Sequence, residues 1–439
     1  MKRLILALTA ASLVTGCGVF NKDNKPKTPT IGERIPVLSA ETAIEIDPAL
    51  AGIAVILPPA VTNADWAQPG GNAAKSVGHL ALGSALGQAW RASIGEGSGP
   101  RARLAAAPVV ANGRVYTIDT TATVRAFSAE NGSPVWQTQV RGKDAPSNVL
   151  FGGGVSYDNG RLYATNGAGW AFALDAGTGA IVWEVRPGGP LRGAPTIAND
   201  NVYVTSQDNQ LFALNPADGT TRWTEAGTVE LAGVFGTAAP AAAQGTVVAG
   251  FSSGELNAYR YENGRVVWQD ALARTSISTS VASLSDIDAE PVIDNGRVYA
   301  IGQGGRMVAL ELNTGQRIWE INIAGTATPA VAGEWIFVVT DQGRLLAVAR
   351  ATGRVKWMTQ LPRYRDEKDK KGPISWVGPV LAGDRLILAN SEGHLVNVSP
   401  LDGTVQSTVE TKMSASLSLV VANGTLYVLH DNGQLTAWR

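Results

Sequence analysis

"EPVIDNGRVYAIGQGGRMVALELNTGQRIWEINI", residues 290–323, holds one complete structural unit. Three short runs alternate apolar and polar residues, the period of a strand, and a fourth run ends in Trp319. Asn295-Gly296 and Gly315 mark tight turns between antiparallel neighbours. Residues 107–140, "APVVANGRVYTIDTTATVRAFSAENGSPVWQTQV", repeat the pattern. Across the chain the first turn recurs as Asn112-Gly113, Asn159-Gly160, Asp200-Asn201, Gln244-Gly245, Asn295-Gly296, Gly333-Glu334, Gly383-Asp384 and Asn423-Gly424. The third turn places Gly132, Gly179, Gly219, Gly264, Gly315 and Gly353 four residues before Trp136, Trp183, Trp223, Trp268, Trp319 and Trp357. These tryptophans are 38 to 51 residues apart, the size of a propeller blade.

A single four-stranded wedge leaves a face uncovered, whereas wedges packed radially cover one another. The expected fold is therefore all-β: an eight-bladed β-propeller of four-stranded antiparallel blades. The last unit, "LVVANGTLYVLHDNGQLTAWR", supplies only three strands before Arg439. Its fourth is expected from "LGQAWRASIG", residues 86–95, with Trp90 after Gly87, so that the two ends of the chain close one blade and leave no open edge. A planar residue repeated at one strand position suits docking between blades, with the indole N–H free to find a backbone acceptor. The other reading of this row, a ligand platform, does not explain its regularity. After Gly403 the equivalent position is Ser407, so that blade is expected to dock less tightly.

The rest of the chain divides into a signal at 1–16, a tether at 17–35, a non-repeating segment at 36–77 and the propeller at 78–439. "IAVILPPAV", residues 53–61, is apolar enough to lie against the propeller. "RYRDEKDKKG", residues 363–372, is charge-dense and reads as a solvated loop rather than a binding arm.

Lys2 and Arg3 followed by apolar Leu4 to Val14 resemble a secretory signal, too short to span a bilayer. Thr15 and Gly16 then precede Cys17, the only cysteine among 439 residues. This resembles a bacterial lipoprotein signal, in which the thiol accepts a lipid and becomes the first mature residue. Several acyl chains make a stable anchor where one does not. Gly18 after the cysteine, by resemblance to enterobacterial lipoproteins, points to the outer membrane facing the periplasm. A lone cysteine excludes an internal disulfide or a Cys-based zinc site. A formal net charge of -1 gives no reason to expect a nucleic-acid partner.

"ALDAGTGAIVW", residues 173–183, resembles the tryptophan-docking motif of quinoprotein-type propellers. Two families share it: quinone-dependent alcohol and glucose dehydrogenases, and the BamB family of lipoproteins in the machinery that folds β-barrel proteins into the outer membrane. "LSDIDAEPVIDNGRVYA", residues 284–300, is similar to the BamB pattern, kept at Leu284, Ser285, Asp286, Asp288 and Pro291. The resemblance implies a non-enzymatic scaffold that binds the periplasmic POTRA domains of a BamA-like barrel-forming protein. Other assembly lipoproteins and unfolded outer-membrane proteins are possible further partners. It also implies that Asp286 and Asp288 accept hydrogen bonds from the partner. In the preceding loop, "TVELAGVFG", residues 228–236, Leu231 matches a family leucine, Val234 and Phe235 add apolar surface, and no arginine is present. Without the resemblance, Asp286 and Asp288 read as turn caps.

The enzymatic alternative, a quinone- and calcium-dependent dehydrogenase, asks for a pair of adjacent cysteines and an oxygen cage. The chain offers neither, nor a GxSxG, P-loop or HExxH motif. No cofactor or metal is expected. His79, His394 and His430 are scattered, though His394 and His430 lie near matching turns of neighbouring units. A third alternative is a receptor for small periplasmic ligands in the central channel.

Overall fold

The computed structural model describes residues 44–229, 238–272 and 285–439. Eight four-stranded antiparallel sheets are present, each in the order first to fourth strand from the axis outward. Blades 1 to 7 begin with the strands Val109–Ala111, Val155–Asp158, Leu191–Ala198, Ala241–Ala243, Val292–Asp294, Ala330–Ala332 and Trp376–Ala382. Blade 8 joins Val420–Ala422, Thr425–Leu429 and Gln434–Trp438 to Gln88–Ser93, with Trp90 opposite Ala437. The expected closure by the two ends is formed.

The tryptophan row is a set of latches. Each indole N–H donates to a backbone carbonyl of the next blade: Trp90 to Ala129, Trp136 to Ala176, Trp183 to Pro216, Trp223 to Tyr261, Trp268 to Leu312, Trp319 to Arg350 and Trp357 to Pro400, at 2.7–3.2 Å. Three residues after each acceptor stands the turn glycine, under the incoming ring. A Cβ on Gly264 would lie 2.8 Å from Trp223, and one on Gly353 2.7 Å from Trp319; both glycines have φ above +70°. Within its own blade each of these tryptophans faces an alanine on the third strand, such as Ala309 opposite Trp319. The small residue leaves the wide ring room. The glycine and alanine of the repeat thus have one shared cause, which is the volume of the indole.

Blade 7 lacks the latch for a reason the ring closure supplies. The receiving turn on blade 8 would join Trp438 to its fourth strand, but that strand is Gln88–Ser93, and Arg439 pairs with Gly87 there. Where no third turn is formed, the donor position holds Ser407, which is exposed. Its hydroxyl accepts from Asn397, whose side-chain oxygen accepts from buried Arg385, which in turn donates to the Gly83 carbonyl. A polar chain replaces the aromatic latch and ties blade 7 to the segment that leads into blade 8. Arg385→Ala leaves Asn397 and Gly83 without that donor. The expected loss is about 1–3 kcal/mol, read from the shift in urea midpoint.

Antiparallel order puts the first and third turns of every blade on one face, the turn face. The second turns and blade-to-blade connections lie on the other, the loop face. Residues 44–86 form a strap on the turn face. Asp47 N–H donates to Val355 at the start of the fourth strand of blade 6. The chain then follows the inner rim. Asn63 bonds blade 8, Trp66 exchanges two backbone bonds with Val110 of blade 1, and Ala67 accepts from Tyr157 of blade 2. Gln68 bonds Ile197 of blade 3, Ala73 accepts from Ala242 of blade 4, and Ala74 accepts from Ile293 of blade 5. Leu80 finally pairs with Leu381 and Gly383 of blade 7. The charge-dense segment is a two-stranded ribbon, Tyr364–Asp366 against Lys371–Pro373, in the connection between blades 6 and 7 on the loop face.

Candidate functional site

The strap and the loop-face ends of the inner strands together line a central cup of about 280 Å³. Trp66, Pro69 and Gly70 of the strap line it together with Asp288, Glu290 and Gln303 of blade 5 and its connection. Under them Lys75 is buried at 3% exposure and donates to Thr196 Oγ1 at 2.9 Å. Burial pushes the Lys75 ammonium down to about 8 and the Glu290 carboxyl up, and each partner's charge partly reverses the shift of the other.

The connection from blade 4 to blade 5, residues 272–291, is the longest between blades. Its described part is packed inward. Ser285 Oγ donates to Ser252 O, Ile287 N–H to Phe251 O, and Gln303 N–H to Asp286 O. Ile287 is fully buried against Gly250, where a Cβ would meet it at 2.5 Å. Asp286 is also fully buried. Asp288 lines the cup and accepts from Gln303 Nε2 at 2.6 Å. Burial, with the Asp286 charge second, raises the Asp288 carboxyl to about 6, and Arg192 opposes the rise. Arg192 is itself 4% exposed, donates to Gly250 O, and is pushed down by burial against the pull of Asp288 and Asp286. Sequence reasoning missed Arg192 because blade 3 supplies it, far along the chain from the aspartates.

The expectation that Asp286 and Asp288 both meet a partner thus separates on geometry. Asp286 has no exposed surface and stands on the structural side of the two readings, while Asp288 faces the cup. Charge reversal at Asp286 should lower stability, since an inward positive charge there would sit beside Arg192. Leu231 and Leu284, like Val234, Phe235 and Cys17, lie outside the described residues.

A pH dependence follows from Asp288. Its folded value exceeds the usual carboxylate value of about 4, so the unfolded chain gives up this proton first. The group therefore contributes stability at pH 4 that is lost as pH rises through about 6, on the order of 2 kcal/mol. Asp288→Asn should flatten this stretch of the stability-versus-pH curve. An unchanged slope in urea midpoints between pH 4 and 7 would refute it.

The cup's residues do not fit a calcium-bound quinone. Its floor is filled by the chain's own Trp66 and Gly70. Glu290 lies in the field of the Lys75 ammonium without a direct ion pair, and Asp288 spends one carboxylate oxygen on Gln303 in the field of Arg192. Among the described residues no group of three or more His, Cys, Asp or Glu is placed to hold a metal ion. His430 uses both ring nitrogens, on Met413 O and Thr436 Oγ1, and His394 faces Asn390, so the two are not set up to share a metal. No helix among the described residues is long and apolar enough to cross a membrane.

Comparison with known proteins agrees with this architecture. A chain of BamB from Moraxella catarrhalis superposes with a TM-score of 0.68 at 22% identity, covering 81% of this chain and all of that one. A quinohemoprotein alcohol dehydrogenase from Comamonas testosteroni superposes with a TM-score of 0.66 at 14% identity, over 86% of this chain and 81% of that one. At these identities the likenesses show the fold alone. By sequence, the outer membrane protein assembly factor BamB of Escherichia coli K12 is 28% identical over 349 residues, 79% of this chain and 86% of that protein. Its counterpart in Moranella endobia is 27% identical over 339 residues, 75% of this chain and 84% of that protein. The sequence profile of the family described as outer membrane protein assembly factor BamB matches residues 83–150 and 120–359. That span is well over half of the chain, from the closing strand through blade 6, and the chain belongs to this family.

Proposed function

We propose that this protein is a non-enzymatic scaffold subunit of the machinery that assembles β-barrel proteins in the outer membrane. It is anchored by lipid on Cys17 and docks the periplasmic POTRA domains of the barrel-forming subunit on its loop face. Family membership supports the assembly role. The observation that supports the docking face is the placement of the described ends of the connections 227–240 and 272–291. They leave and enter their blades on the loop face, and Ala238, Asp288 and Glu290 among them line the cup. Loops that exceed the blade minimum are where such scaffolds present binding residues.

The test is capture of the lipidated protein from membranes solubilised in mild detergent. A large β-barrel protein with periplasmic domains should co-purify. Its absence, or dye reduction after addition of pyrroloquinoline quinone and Ca²⁺, would overturn the reading. Cys17→Ser should move the protein from the membrane pellet to the soluble fraction. Continued sedimentation with membranes would dismiss the anchor.

A further inference from the structure

Among the described residues that line the central cup, only Asp288 and Glu290 carry charge. The rest of the wall is small or polar, with Ala105, Ala194, Ala238 and Ala327 set against Thr328 and Ser418. Both carboxyls are held in place. Gln303 Nε2 fixes Asp288 at 2.6 Å, and the strap runs so close to Glu290 that a Cβ on Gly70 would lie 2.9 Å from its Oε2. The bases in their fields, Lys75 and Arg192, are buried outside the lining and donate elsewhere, to Thr196 Oγ1 and Gly250 O. Glu290 uses its backbone N–H on Thr328 Oγ1, and no described residue donates to its carboxyl. Asp288 Oδ1 has no donor either. A group entering the cup therefore meets two carboxylates first, with the charge of Asp286 adding to the negative field at Asp288. Both carboxyls stand above their ordinary values, since the buried bases offset burial only in part. A cation beside them would supply what the wall lacks.

We propose that the cup is a binding site for a small organic cation, an ammonium group on a short apolar body, held by Asp288 and Glu290. An ammonium brings N–H donors to the carboxylates, and the alanine walls take the carbon chain. The cup's volume of about 280 Å³ leaves room for such a molecule. A bare metal ion is less suited, because it asks for more oxygen ligands than two carboxylates offer, and no third His, Cys, Asp or Glu joins them among the described residues. An anion would meet the same two carboxylates and be repelled. The site does not depend on what docks on the loop face.

The probe is n-butylammonium, titrated calorimetrically into the full-length lipidated protein in neutral detergent at about pH 7.5. It should bind with a Kd of about 1 mM, in the range open to a ligand of this size. The neutral n-butanol should bind at least about tenfold more weakly, and Asp288→Asn and Glu290→Gln should each cost about tenfold. Lowering the pH to about 5 should also cost about tenfold, because Asp288 takes up its proton near 6 while the probe stays charged. The n-butanol and pH arms use the wild-type protein, so they decide the matter even if a variant fails to fold. Equal affinity for n-butanol and n-butylammonium overturns the proposal, as does an affinity that ignores pH. So does the lack of saturable binding up to about 50 mM probe.

Discussion

Lys75→Met should lower the unfolding free energy by about 1–3 kcal/mol, and adding Glu290→Gln should return part of it. The asymmetry comes from burial. Lys75 is almost wholly enclosed by the strap and blades 3 and 5, and its counter-charge lines the cup above it. Removing the ammonium alone takes away the positive charge that opposes the effect of burial on Glu290, and Thr196 loses its donor. Removing both charges leaves only a packing change. Gly70 sits between the two: a Cβ there would be 2.9 Å from both Glu290 Oε2 and the Lys75 side chain, so the strap approaches as closely as the backbone permits. The measurement is a double-mutant cycle by urea denaturation. Additive losses would mean the pair is not coupled and the strap is held by its backbone bonds alone.

The strap also marks the limit of what the sequence reveals. The blades were legible because their constraints are local: Asn-Gly in the first turn, and Gly four residues before Trp in the third. Even closure by Trp90 could be read, since a missing strand at one end matches a spare one at the other. Residues 44–86 carry no such period. Their contacts are backbone bonds to the first strands of most blades, and those partners become neighbours only once the ring exists. Asp288 shows the same limit at the site. Its place in a motif was visible, but its altered acidity depends on burial that only the closed ring creates, helped by Asp286 and opposed by Arg192. Ser407 departs visibly from the repeat, yet its cause, a third turn that blade 8 lacks because its fourth strand comes from residues 88–93, required the neighbouring blade.

That cause can be tested by asking when an indole stabilises and when it does not. Trp319→Ala removes a buried ring, its bond to Arg350 O at 2.9 Å and its packing on Gly353 and Tyr299, and should cost about 3–5 kcal/mol. If the latch were a property of the tryptophan alone, Ser407→Trp would restore a comparable amount at the seam between blades 7 and 8. The geometry says otherwise. Blade 8 offers no third turn with its carbonyl and glycine, because its fourth strand is Gln88–Ser93 and Arg439 pairs with Gly87. The new ring would also face Asn397 instead of the alanine that accommodates it elsewhere, and would break the bond from Asn397 to Ser407. Ser407→Trp should therefore leave stability within about 0.5 kcal/mol of wild type or lower it. Denaturant midpoints of the two variants decide the matter. A gain at 407 approaching the loss at 319 would show that the receiving turn is dispensable, and that the ring is held by buried aromatic area rather than by the fit of indole, glycine and carbonyl.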